Sequence, residues 1–332
     1  MENIEQSSQQ SLLPLPPQLP PTLFQELSFF IRQMPVWLFV LLSLIGILFL
    51  YQIASGVIAI VLFGFRLEVT AENKTAFRLV QTLGQFLFLL IPTLVLAKLR
   101  FPSIANFFRI RRIRLLEIII VLISSFALQQ ISIGYMLLQQ AIPIEPPTFI
   151  KEINELAEQL VKSLTSSDSF GEFLFVVVVV ALTPAICEEV LFRGLVQRTL
   201  GDLSSDHDPI SMSKSGLRAA IISGLIFGLF HLNITQFIPL AALGVYFGFV
   251  VYRTQNIVTS MVAHFFNNFL ACLGVYLNLD DEFIAVSPTG QPSSMMLALN
   301  FVLCAVVFVA ATYYLVRITN RTDVQPAEQA PD

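Results

Sequence analysis

The chain is predicted to be an all-α, polytopic membrane protein of about eight transmembrane helices, and three observations carry that expectation. Several apolar runs exceed the ~18 residues needed to read as a membrane span. Charged residues make up 13% of the 332 positions against 55% hydrophobic, about half the charged share of an ordinary soluble domain. The charges that remain are gathered between the apolar runs, with basic and acidic clusters alternating along the chain. This pattern excludes a soluble enzyme with a large core. The scattered basic residues offer no nucleic-acid-binding surface.

The elements follow in order. Met1 to Pro21 is rich in Gln, Ser and Pro and has no apolar signal-peptide core, so residues 1–30 are expected to be a disordered tail. From Val36 to Phe65 no charge occurs; this first span is longer than a bilayer requires and should tilt or bend, with Gly46 and the Ser55-Gly56 pair as the weak places. A second span fits Phe77–Ala97. The connector after it carries Lys98, Arg100, Arg109, Arg111, Arg112 and Arg114 between apolar residues, which suits an anionic membrane surface. A third span fits 115–142. Next, Phe149, Ile153, Leu156, Leu160 and Leu164 recur at steps of three and four, giving an amphipathic outer helix with Thr148 as its expected N-cap.

The fourth span, Phe173–Leu200, opens on five valines that look strand-like in isolation, yet lipid demands that the backbone bond to itself, which favours helix. Leu217–Leu232 and Ile234–Tyr252 form a fifth and sixth span, joined through little more than Asn233. Ile257–Leu277 is the seventh and Met295–Val316 the eighth. With eight spans, the arginine-rich connector, Arg198, Arg218, Arg253, Arg317 and Arg321 share one side, and the acidic loops at 145–172 and 278–294 share the other. Lys and Arg mark the cytoplasmic side, so both termini are expected there, in the plasma (inner) membrane if the source is bacterial.

Three spans contain groups that lipid does not tolerate. Glu188, Glu189 and Arg193 interrupt the fourth. Glu189 and Arg193 are four apart with the acid first, the favourable order for a helical ion pair; Glu188 points about 100° away and has no partner in its own segment. His231 closes the fifth span in FGLFH. His264 and Asn268 share a face of the seventh in HFFNN, with Asn267 turned aside to pack on a neighbouring helix. A lone intramembrane Asn or His is often helix-to-helix glue. Two acids, an arginine, two histidines and an asparagine on three spans instead define a candidate site. Measured along the helices from their cytoplasmic ends, Glu188, His231 and His264 lie at about 18, 21 and 11 Å, depths compatible with one cluster open to the cytoplasm. His207 falls in a polar loop and reads as a surface residue. Cys187, Cys272 and Cys304 lie in apolar segments without CxxC spacing and read as buried structural thiols.

EEVLFR, FGLFH and HFFNN resemble, in order and without departure, the three signatures of the CAAX-prenyl-protease and bacteriocin-processing (CPBP, or ABI) family of intramembrane proteases. The resemblance covers Phe173 to about Leu277 and makes 173–277 a protease core in spans four to seven. Around it stand N-terminal spans with the connector and outer helix (31–172), an acidic loop with the last span (278–318) and a polar tail (319–332).

The resemblance implies hydrolysis of a peptide bond within the membrane. Glu188 would activate water, His231 would help hold it, His264 and Asn268 would donate to the oxyanion, and Glu189 with Arg193 would keep Glu188 oriented. The family is often called metalloproteases, so Glu188, His231 and His264 are also candidate ligands for a divalent ion such as zinc. Against that, no HExxH pair occurs and no third histidine lies at membrane depth. The expected partners are the bilayer and a peptide or membrane-protein substrate: a prenylated C-terminus, a bacteriocin leader or a membrane protein. A transporter or proton pathway, which would show repeated halves or broken helices, and a non-catalytic membrane scaffold are the alternatives.

Overall fold

The computed structural model describes residues 22–64, 69–101, 108, 113–141, 147–201, 214–278 and 294–320. Among these residues every regular element is a helix: α1 (Leu23–Gln33), α2 (Val36–Phe63), α3 (Lys74–Arg100), α4 (Leu115–Ala141), α5 (Thr148–Thr165), α6 (Phe170–Gly201), α7 (Lys214–Phe230), α8 (Phe237–Thr254), α9 (Ile257–Tyr276) and α10 (Ser294–Thr319). Seven helices (α2, α3, α4, α6, α8, α9 and α10) are long and apolar enough to cross a membrane. The fifth expected span, Leu217–Leu232, corresponds to α7, which has only 17 residues. At 1.5 Å per residue it reaches about 25 Å, short of the ~30 Å hydrocarbon core.

Three long helices carry wide π-helical stretches: Phe49–Ala54 in α2, Gln85–Leu90 in α3, and Val177–Leu182 and Val190–Val196 in α6. The stretch in α2 ends at Ser55, where the sequence placed a bend. Two of the others run up to a proline, Pro92 and Pro184. A proline inside a helix has no N–H to give the carbonyl four residues back, and its ring crowds that carbonyl. Widening the turn relieves the crowding without breaking the helix. The five valines of α6 are helical, as the lipid argument required.

Burial shows which helices form the centre. Three-fifths of the apolar stretch of α8 is buried, 61%, against 6% for α10, which lies at the edge against α4. Val190, Leu191, Phe192, Leu195 and Val196 of α6 pack on α2 and α3. Tyr246, Phe247 and Val250 of α8 pack on α4 and α10, and the Tyr246 hydroxyl bonds Ser124 of α4. Phe173 and Val176 of α6 meet Cys272 of α9. The three cysteines are free and buried. Large apolar side chains such as Leu41, Ile45 and Val302 point outward, the arrangement lipid contact requires.

The tightest contact is between α7 and α8. A Cβ added at Gly224 would lie 2.2 Å from the backbone N of Val245, and one at Gly244 would lie 2.6 Å from the carbonyl O of Gly224. Only glycine lets these two backbones touch, the device by which membrane helices pack closely without a hydrophobic driving force. Residues 231–236 join the two helices, a longer link than the single Asn233 expected, and Leu232 takes a positive φ of 52° to make it.

Two expectations at the N-terminal half need correction. The segment expected to be disordered through residue 30 is helical from Leu23: Thr22 and Gln25 form a capping box, and Arg100 Nη1 caps the far end of α1 by donating to the carbonyls of Ile31, Arg32 and Met34. Residues 1–21 lie outside the described residues. Thr148 is the first helical residue of α5 rather than its N-cap; Pro147 holds the cap position, with no side-chain cap bond. Proline suits a helix start because its φ is already set and the N–H it lacks would be unpaired there. The other end of α5 is clamped by the fully buried Arg78 of α3, which donates to the carbonyls of Ser163, Leu164 and Ser166 and pairs with Glu172. Arg109, Arg111, Arg112, His207 and the acidic loop residues 280–282 lie outside the described residues.

Candidate active site

Glu189 comes first because every other polar group of the cluster refers to it. Its side chain is fully buried, and its Oε1 accepts from Arg193 Nη1 at 2.8 Å, one helical turn on. The same oxygen accepts from His264 Nδ1 at 2.9 Å. Arg193, also buried, gives Nη2 to the carbonyl of Gly244 at 2.7 Å and lies over the rings of Phe227 and Phe247, 4.9 and 5.5 Å from their centroids. Aromatic faces and a carbonyl therefore take the place of water around the guanidinium. That carbonyl is within reach only because Gly224 lets α8 approach α7. Beyond it, Gln197 Nε2 donates to the carbonyl of Gly248, the next residue along the same glycine-lined face.

The hydrogen bonds assign the histidine tautomers. A carbonyl only accepts, so His231 Nδ1, 2.8 Å from the carbonyl O of Phe227, carries a proton. Glu189 is already an ion-pair partner of Arg193, so His264 Nδ1 donates to it as well. In the neutral imidazole this leaves the Nε2 lone pair of each ring free. Both Nε2 atoms lie 3.9 Å from Glu188 Oε2, a buried oxygen with no hydrogen-bond partner of its own. The His264 ring is fixed by stacking on Phe247 at 5.3 Å and by an edge contact with Phe227. The depths counted along the sequence differed by about 10 Å, yet both rings reach one oxygen. Helix tilt and unequal starting heights absorb the difference.

A cavity of ≈ 130 Å³ opens in front of these groups, lined by Glu188, His231, His264, Asn267 and Asn268 with Phe227, Phe247 and Pro184 among its walls. Four of the six expected site residues line it; Glu189 and Arg193 stand behind as a buttress. Asn268 gives Nδ2 to the carbonyl of Val180 at 3.2 Å, the carbonyl that Pro184, four residues on, cannot serve. Asn267, expected to face away, instead lines the cavity and bonds Asn268. A larger apolar cavity of ≈ 590 Å³ lies among α4, α7, α8 and α10, but it holds none of these groups.

The candidate metal ligands Glu188, His231 and His264 stand somewhat wider apart than a bound ion would hold them. Zinc bound at about 2.0–2.2 Å in a tetrahedron holds its donors roughly 3.4 Å apart. Here each histidine nitrogen is 3.9 Å from the carboxylate oxygen, and among the described residues no group of three His, Cys, Asp or Glu is set to hold a metal. What converges instead is three acceptors around a space that suits a hydrogen-bond donor such as water.

Sequence reasoning missed Gly224, Gly244, Asn267 and the bond from Asn268 to the carbonyl of Val180. The glycines had a readable signal: Ala220, Gly224 and Gly228, and then Gly244 and Gly248, fall four apart on one face each. The link from Pro184 to Asn268 had none, because it joins two helices.

Residues 170–270 match the family model described as type II CAAX prenyl endopeptidase, Rce1-like. No curated protein and no solved structure matches the chain. The match begins with α6 and ends inside α9, so it contains all three motifs and every residue around the cavity. The helical core at residues 170–270 is therefore that of the CPBP (ABI) family, to which the type II CAAX prenyl endopeptidases belong.

Proposed function

We propose that the protein is an intramembrane endopeptidase of the CAAX-protease type that uses glutamate-activated water. One observation carries the reading: a buried, unpartnered carboxylate oxygen of Glu188 stands 3.9 Å from two histidine nitrogens at the wall of a cavity with room for water. A water there donates one hydrogen to Glu188 and the other to His231 Nε2. As its oxygen attacks the scissile carbonyl, Glu188 takes the first proton and later delivers it to the leaving amine.

The oxyanion is met by Asn268, whose Nδ2 has a second hydrogen beyond the one bonded to Val180. His264 Nδ1–H stays on Glu189, so its Nε2 would join Asn268 as a donor only after taking up a proton from the cavity. Donors aimed at developing charge in a dry site are often the largest catalytic contribution. Glu189 and Arg193 touch neither water nor substrate in this scheme; they hold His264 and, through the helix, Glu188. The family match supports a peptide or membrane-protein substrate presented from the bilayer, and the basic loops support both termini lying on the cytoplasmic side, with α7 crossing as the eighth span.

The test compares the peptide termini of membranes carrying the wild-type chain with those carrying Glu188→Gln, which keeps the shape and removes the base. New termini present only with the wild type are expected, together with unchanged abundance and melting of the variant. Identical termini in both membranes would overturn the proposal.

A further inference from the structure

A directed chain of amide hydrogen bonds runs across the cavity from α6 to α9 and is tied to α4. It starts at the carbonyl of Val180, which Pro184, four residues on, cannot serve because it has no N–H. A carbonyl cannot donate, so the Asn268 atom facing it at 3.2 Å is Nδ2. This turns Asn268 Oδ1 the other way, where Asn267 Nδ2 donates to it at 3.3 Å. Asn267 is in turn held at its backbone oxygen by Gln129 Nε2 of α4, at 3.2 Å. The Asn268 amide is thus gripped at both ends, and the second hydrogen on Nδ2 is the one left for the cavity.

We propose that Asn267 is a positioning residue for the reaction, fixing the Asn268 amide with its nitrogen toward the substrate carbonyl. This rests on the proteolytic reading above, in which Asn268 meets the oxyanion. Without the Asn267 donor, the bond to the Val180 carbonyl alone holds the amide, which can then rotate out of register with the substrate carbonyl. The helical turn that places His264 and Asn268 on one face thereby also uses the residue between them, and Gln129 brings the third span, outside the matched residues 170–270, into the site.

Two variants of the full-length protein in detergent test this. Asn267→Leu removes the donor at similar volume, and Asn267→Asp replaces it with an acceptor. The probe is a quenched fluorescent peptide ending in a farnesylated CAAX sequence. Removing an oxyanion donor outright costs roughly 10²–10³ in kcat, so a misdirected one is expected to cost about 10- to 100-fold. KM should stay within about two-fold, because the contact strengthens only in the transition state.

The second readout needs no turnover. In protein labelled with ¹⁵N-asparagine, the Asn268 side-chain NH₂ resonance, assigned by its loss in Asn268→Leu, should shift in both variants. An unmoved resonance overturns the proposal, as does a rise in KM at constant kcat. A shifted resonance in a protein whose wild type cleaves nothing supports the positioning of the amide and counts against the proteolytic reading alone.

Discussion

Gly224→Ala should be strongly destabilising, although alanine is the better helix former by about 1 kcal/mol. The added Cβ would sit 2.2 Å from Val245 N and 2.4 Å from Val245 Cα, where ordinary contact begins at 3.4 Å. These neighbours are backbone atoms, so no side chain can swing aside and α8 must recede by about 1.2 Å to bring 2.2 Å up to 3.4 Å. Overpacking of that kind costs ~1–3 kcal/mol. Receding also stretches the bond from Arg193 Nη2 to the Gly244 carbonyl, from 2.7 Å toward the limit of a hydrogen bond; a bond to a charged group is worth about 1.5–3 kcal/mol. Together these amount to roughly 2.5–6 kcal/mol, and activity should fall with stability because Arg193 buttresses Glu189. Gly46→Ala is the control, since a Cβ there meets nothing within 4 Å, and it should melt at or slightly above the wild-type temperature. Melting in detergent, followed by tryptophan fluorescence or aggregation, reads both variants. If Gly224→Ala melts with Gly46→Ala, the backbone contact between α7 and α8 is not what holds the site.

Glu189→Ala and Arg193→Ala should each lose about 3–5 kcal/mol, the usual cost of stranding one member of a buried ion pair, and with it activity. Glu189→Ala that melts like wild type yet is inactive would instead make Glu189 the base. Arg78→Met should release the C-terminal end of α5, whose carbonyls it caps, while Glu172 keeps Lys74 at 2.7 Å; hydrogen exchange over residues 160–166 should speed up and the cavity groups should be unaffected. Cysteines introduced at Arg111 and Asp281 should label from opposite faces of the membrane, and labelling from one face would sink the proposed orientation.

Much of this protein is legible from local chemistry. Apolar runs longer than a bilayer is thick leave the backbone no alternative to helix, so the helical class and nearly every span boundary follow from hydropathy alone. The expense of burying an ion in lipid likewise singles out Glu188, Glu189, Arg193 and His264 before any fold is known. The Glu189–Arg193 pair follows from the four-residue spacing, since it closes within one helical turn.

Contacts between helices are a different matter. Which histidine nitrogen faces Glu188 depends on where Glu189 and the Phe227 carbonyl stand, and the chain order does not contain those distances. The approach of α8 to α7 is set by two glycines 20 residues apart that must meet face to face. Asn267 was assigned away from the site by its angle on an isolated helix, but the wall it lines is built by α6 and α9 together. The spacing of Glu188, His231 and His264, too, is set by tenths of an ångström between separate helices. Hydropathy and spacing act within one segment; hydrogen-bond direction and cavity shape arise only where segments pack, and there the tertiary structure decided the site.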